Sequence, residues 1–453
     1  MIEEVEYKGE WWLPSDPNNR LSGTLRFNQD EGAILELGGC FTTDFSKDEL
    51  LNPTIVNGTS YGGVDITLCH CLEQGFNIYS GGHSNSWLYA HQVFEGVHFQ
   101  EQGDIKFKNL IVRFAYLDRW LNISGFDTKQ EGEQIVIKFK SPNSIHAMIS
   151  PGLYLSIDFG YTYSPYILTE VDLKQNTHIV LLPPDDKHFE EYRDIIHHFR
   201  NFLSLATMES VYPSSIEGEA DIESYKKVVG NTVLYPRVKI FYQLARSPKI
   251  IKKTRRFQPL FTFELISKDF ERYLQNWFGK EELLKPVHQL YFGLLYNPDM
   301  YLDQKFLCFV QALEAYHRRT MGNWEIPEEK HQERIAGIID SVPQEHRAWL
   351  SCELEYSNEP NLRRRLKELL KAHSAVMPQL IGDGRRFVDK VCTTRNYLIH
   401  YDSILENRAA KEGELLKVTN GLRVLIEACL LKELGFSSED VGKLLSTYYA
   451  REM

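Results

Sequence analysis

The chain has 453 residues, 43% of them hydrophobic and 25% charged, with a formal net charge of −11. That length exceeds one ordinary core and implies two or three domains, and the composition excludes a disordered or fibrous protein. The negative balance argues against sequence-blind binding along a nucleic-acid backbone, which depends on lysines and arginines displacing counterions, and leaves room for a local basic site. From the start to about residue 180, short alternating runs such as GTLRF, GAILELGG, TIVNGT, QIVIKFKS, LYLSIDFGY and HIVLLP are broken by Gly, Asn, Asp and Pro. Period-two alternation with frequent turn residues predicts antiparallel strands in a sandwich or barrel. Trp11, Trp12, Trp87 and Trp120 fall in this half and read as packing on β faces, with a ligand groove as the alternative.

At Pro183-Pro184-Asp185-Asp186 the period changes, and HFEEYRDIIHHFRNFLSLATM spaces its apolar residues as an amphipathic helix does. Strand-like segments follow to about residue 265 and complete a β-rich domain with an added helix. Beyond Ser267 all runs are helical, including LDQKFLCFVQALEAYHRRTM, NLRRRLKELLKAHSAVMPQLIG, RRFVDKVCTTRNYLIHYD and GELLKVTNGLRVLIEACLLKELG. The expectation is an α+β chain, residues 1–265 forming the β-rich domain and 266–453 an all-α bundle.

No run approaches the roughly eighteen apolar residues of a spanning helix, and the opening MIEEVEYKGEWW is acidic where a signal peptide is basic and then apolar. A cytoplasmic protein with no membrane partner is expected. Seven cysteines lie scattered from Cys40 to Cys429 without the spacing of a disulfide framework, so reduced thiols are expected. Cys69-His70-Cys71 has no second Cys/His pair at ligand spacing and reads as a core strand; no metal or cofactor is expected. The basic clusters Lys252-Lys253-Thr254-Arg255-Arg256, Arg363-Arg364-Arg365 and Arg385-Arg386 read as solvated faces. Asn57-Gly58-Thr59 fits a glycosylation acceptor that a cytoplasmic chain would not use. Phosphate loops, nucleophile elbows and paired Cys-x-x-Cys motifs are absent from the sequence.

Two stretches pair an arginine with a histidine five residues on: Arg193-Asp194-Ile195-Ile196-His197-His198 and Arg395-Asn396-Tyr397-Leu398-Ile399-His400. About one such match is expected by chance at ordinary composition, so the pattern alone cannot choose between them. The first lies on a helix beside Phe199 and Phe202, where its histidines read as helix-face residues. The second lies late in the helical region.

That region resembles HEPN domains, helical bundles found in many prokaryotic ribonucleases, whose signature is Arg, usually Asn, Asp or His, a short spacer and His. Arg395, Asn396 and His400 meet it. The helix FLCFVQALEAYHRR, with Glu314 in its middle, resembles the ApeA-like branch, as does the opening GEWWLP, SGTLRF and ILELGGCF. The resemblance implies a metal-independent endoribonuclease of an anti-phage, abortive-infection system, acting as a homodimer or higher homo-oligomer through the HEPN domain. It also leaves room for a phage-derived trigger sensed by the β domain. A subgroup of HEPN toxins carries tyrosine two residues beyond the histidine; here that position is Asp402 and the tyrosine is Tyr401.

In the implied chemistry Arg395 holds phosphate oxygens, His400 transfers protons and Asn396 orients by hydrogen bonds. Five residues of helix turn through about 500°, leaving Arg395 and His400 roughly 140° apart. Three arrangements could reunite them: unwinding near Tyr401-Asp402, convergence of long side chains across a cleft, or a dimer interface. The other reading is a non-catalytic HEPN dimerisation or binding module with a ligand-sensing β domain.

Overall fold

The computed structural model describes residues 4–41, 52–79, 84–164, 171–243 and 257–452. The basic run Lys252-Lys253-Thr254-Arg255-Arg256 lies outside them. The chain divides into two compact units: Met1–Phe257 with Thr262–Glu271, and Gln258–Phe261 with Arg272–Met453.

In the first unit, strands β1 (Val5–Leu13), β2 (Asp16–Asn28), β3 (Gly32–Leu37), β4 (Ile55–Ser60), β5 (Asp65–Ile78) and β6 (Ser84–Glu95) pair antiparallel in the order β6-β3-β2-β1-β4-β5. Because β5 also pairs with β6, the six close into a barrel. The alternation read from the sequence is the barrel's inside and outside: Trp11, Leu25, Phe27, Leu35, Val56, Ile66 and Leu88 point inward. Trp11 lies so close to β4 that a Cβ on Gly58 would sit 2.2 Å from its ring, which is why Gly occupies that position. Asn57 is 1% exposed and its amide donates to the Phe99 carbonyl at 3.0 Å, so the glycosylation-like Asn is buried, on the strand face opposite the inward-pointing Val56.

After β7 (Lys106–Phe107), an open sheet grows from β6. It uses β8 (Asn109–Phe114), β11 (Ile145–Ser150), β12 (Leu153–Ser164), β13 (Asp172–Leu182), β15 (Pro213–Glu219) and β18 (Arg237–Tyr242), in the order β6-β18-β15-β8-β13-β12-β11. β9 (Phe126–Glu131) with β10 (Gln134–Phe139) and β16 (Lys227–Val229) with β17 (Thr232–Leu234) are separate hairpins, and β14 (Lys187–His188) pairs β7. Helix α1 (Leu117–Leu121) follows β8, and α2 (Phe189–Thr207) covers the open sheet, with Phe199 against Phe114 at 5.4 Å. Glu191 accepts from the His188 amide at 3.1 Å and fixes the α2 start. Short α3 (Phe263–Ile266) packs on α1, bringing Phe263 to 5.6 Å from Trp120.

The second unit is helical: α4 (Phe270–Gly279, from Arg272 on), α5 (Glu281–Leu295), α6 (Leu302–Thr320), α7 (Glu328–Asp340), α8 (Gln344–Leu354), α9 (Leu362–Ala372), α10 (Met377–Ile381), α11 (Gly384–His400), α12 (Ser403–Glu406), α13 (Glu412–Leu434) and α14 (Ser438–Glu452). The central α13 is buried nearly all round from residue 421 to residue 431, as an enclosed helix segment is. Its one fully buried carboxylate, Glu427, accepts from Tyr291 at 2.9 Å, Arg423 at 2.8 Å and Tyr449 at 2.7 Å, tying α5, α13 and α14 with its oxygens satisfied. No helix among the described residues is long and apolar enough to cross a membrane.

Candidate functional site

Cys69 and Cys71 are buried in β5, where burial pushes the Cys69 thiol up to about 12 and the Cys71 thiol higher, so both remain protonated packing residues. Among the described residues no three His, Cys, Asp or Glu side chains gather as a metal-binding group.

The two Arg/His matches occupy opposite environments. On α2, Arg193 pairs with Glu190 at 2.7 Å, His197 sits 3.4 Å from the Asn201 amide, and His198 is 2% exposed. Burial lowers the pKa of His197 and keeps it neutral. On α11, Asn396 and His400 are exposed and Arg395 is half-buried. The Arg395 guanidinium donates to the amide oxygen of its neighbour Asn396 at 3.3 Å, and among the described residues neither Arg395 nor His400 has an ionic partner.

Packing of α11 fixes where these side chains stand. Asp383 caps the helix by accepting from the Arg385 and Arg386 amides. Phe387, Val388 and Val391 are buried, and Thr394 accepts from the Ala410 amide at 2.8 Å, pinning the returning chain one residue before Arg395. Lys390 adds a second staple, donating to the Arg408 carbonyl at 3.0 Å and pairing with Glu414 at 3.2 Å.

The helix stays regular through His400. Tyr401 then takes a left-handed conformation at φ 50°, its amide donating to the Tyr397 carbonyl at 2.6 Å. Unwinding therefore does not bring His400 towards Arg395, and the roughly 140° between them stands. Tyr401 is the helix cap, its ring 5.7 Å from that of Tyr397, and Asp402 caps α12 by accepting from the Ile404 amide at 2.9 Å. Both residues after the histidine thus have structural work.

The sequence reading missed a buried network beside this helix. Of Arg363-Arg364-Arg365, read as a solvated face, Arg363 pairs with Asp389 of α11 and Arg364 with Glu368 at 2.9 Å, but Arg365 is 4% exposed. Its guanidinium donates to His317 Nδ1 at 3.1 Å and to Asn323 at 2.6 Å. His317, accepting at Nδ1, donates from Nε2 to Glu368 at 2.7 Å and is held neutral by burial. The hint lay in helical period, which turns the third arginine inward beside Leu366 and Leu369. Glu314 lies one turn before His317 on α6, which packs directly against α11.

Residues 6–277 match the family described as ApeA N-terminal domain 1, and residues 307–440 match the one described as Apea-like HEPN. No curated protein and no solved structure matches the chain. HEPN domains are generally associated with ribonucleases, and some are non-catalytic. The first match covers the β-rich unit and the second lies within the helical unit and includes α11, and the chain belongs to the ApeA-like proteins with a C-terminal HEPN domain.

Proposed function

We propose that the protein is a cytoplasmic, metal-independent endoribonuclease of an anti-phage defence system that arrests the infected cell, with Arg395, Asn396 and His400 as its working residues. The observation that carries this reading is the free state of the motif: in an Apea-like HEPN region, Arg395 and His400 stand at the end of α11 with no ionic partner among the described residues. A cation and an imidazole left unpaired at one helix end are available to a phosphate.

In the reaction the 2′-hydroxyl loses its proton to an imidazole and attacks the phosphorus. The new O2′–P bond forms as P–O5′ breaks, and the leaving 5′-oxygen takes a proton. Arg395 holds the non-bridging oxygens as charge accumulates, and Asn396 orients them. The products are a 2′,3′-cyclic phosphate and a 5′-hydroxyl.

A homodimer supplies what one helix does not. Two copies of α11 facing each other place two arginines and two histidines around one phosphate, so that one imidazole acts as base and the other as acid. Around His400, Ile399 is 46% exposed, Tyr401 68% and Ile404 78%, an apolar surface suited to cover by a second copy. The β-rich unit then serves to sense a trigger or restrain cutting.

Growth arrest and RNA breakage on expression of wild type, Arg395→Ala and His400→Ala test the reading. Activity lost in both variants while they remain folded is the expected result; three identical outcomes would leave a non-catalytic binding module. Sedimentation tests the dimer, since a monomer that still cleaves RNA rules out a shared site.

A further inference from the structure

Between α9 and α11 lies a groove in which three cations, Lys367, Lys371 and Arg385, are left without a carboxylate partner among the described residues. The helices run antiparallel, with Arg363 paired to Asp389 and the Leu370 side chain against Gly384. Arg363, Lys367 and Lys371 are spaced four residues apart and share one face of α9. At the Lys371 end a cavity of about 430 Å³ opens, with Leu370, Met377 and Ile381 in its wall and Lys367, Lys371 and Arg385 at its rim. These three cations are exposed and, among the described residues, none has a carboxylate partner. In a chain with 62 acidic and 51 basic residues, three adjacent unpaired cations around a cavity are a local reversal of charge. The first amides of α11 are already taken by Asp383, so this charge comes from side chains alone.

Away from the cavity, the Arg363–Asp389 pair spans the groove, and Lys367 stands one turn from Arg363 on the cavity side. Arg395 lies six residues beyond Asp389 on α11, about 9 Å along the axis on the side away from the cavity. Arg385 and Arg395 are ten residues apart on α11, about 15 Å along its axis. A free phosphate or mononucleotide reaches one end of such a path; a polymer reaches both.

We propose that this groove binds the backbone of single-stranded RNA leading away from the scissile phosphate, with Lys367, Lys371 and Arg385 on phosphates and the apolar cavity wall against an unstacked base. The location of the scissile phosphate at Arg395 rests on the ribonuclease reading above. A single strand suits the site because its bases are free to leave the stack and meet an apolar surface.

The test is binding of a labelled, fully 2′-O-methylated single-stranded RNA to the full chain across a salt series, since this probe cannot be cut by 2′-hydroxyl attack. Lys371→Ala with Arg385→Ala is expected to weaken binding roughly tenfold and to flatten the log–log salt dependence by about 1.4, or roughly 0.7 for each phosphate left without its cation. Lys371→Arg with Arg385→Lys keeps the charge and should keep the slope. Unchanged affinity and slope in the alanine pair overturn the proposal. Displacement of the probe by inorganic phosphate at equal phosphate concentration also overturns it, by making the cavity a small-anion site. Binding is read without cleavage, so the groove can hold even where Arg395→Ala leaves RNA breakage intact, or fail while that variant abolishes it.

Discussion

RDIIHH on α2 and RNYLIH on α11 carry the same Arg/His spacing and meet opposite fates. In the first, Arg193 is neutralised by Glu190 one turn away and His198 is buried, so both side chains are committed to the fold. In the second, the fully buried apolar residues of α11 stop at Val391, Thr394 closes the packing, and Arg395, Asn396 and His400 are left beyond it. A motif of this kind is available for chemistry only where the surrounding helices leave its side chains unconsumed.

The comparison breaks most visibly in activity. Arg395→Ala or His400→Ala is expected to lower RNA cleavage by about 10²- to 10⁴-fold, the usual worth of a positioned proton-transfer group or charge. Arg193→Ala should leave cleavage at the wild-type rate. Cleavage of a labelled RNA by the purified variants measures this, and a loss in Arg193→Ala equal to that in Arg395→Ala would erase the distinction.

In stability the order reverses. His198→Ala empties a buried site and should cost about 3 kcal/mol in the β-rich unit, whereas His400→Ala removes an exposed side chain and should cost under about 0.5 kcal/mol. Denaturant melts of both variants compare the two histidines directly.

Much of this was legible in the sequence. Barrel strands such as GAILEL showed their alternation because one face meets Trp11 and Leu25 and the other meets water. The helix on α2 showed its period for the same reason. Closure of the barrel was not legible: it depends on β5 pairing with both β4 and β6, a long-range choice that local period does not encode. Helical period hints that one arginine of Arg363-Arg364-Arg365 turns inward, but the pairing of Arg365 with His317, 48 residues away, was not legible. The environment of the candidate residues was not legible, since nothing in RNYLIH says that Thr394 closes the packing or that Tyr401 caps the helix.

Titration sharpens the comparison of buried and exposed histidines in the helical unit. His373 is 4% exposed, with its Nε2 3.6 Å from Cys429 Sγ. Burial, with Lys432 nearby and Glu433 opposing, pushes its imidazole down to about 4. A base depressed in the folded state contributes full stability above its unfolded pKa near 6.5 and loses it as pH falls through that value towards 4. Between pH 7.5 and 5 the helical unit should lose about 2 kcal/mol from this group. His317, also lowered by burial, works in the same direction. His373→Gln should flatten the pH dependence of the melting temperature.

The smallest effect lies with Arg193 itself. Its pair with Glu190 is an i,i+3 contact on a helix surface, with side chains 46% and 40% exposed. Water and salt screen such a pair, and holding two long side chains in one geometry costs entropy, so Arg193→Ala should destabilise by about 0.3 kcal/mol, and by less in high salt. A melt at low and at high ionic strength reads this. If the loss exceeded about 1 kcal/mol at high salt, the α2 arginine would be packing the fold through its aliphatic stem, and the contrast with Arg395 would be one of burial alone, with charge pairing as a consequence.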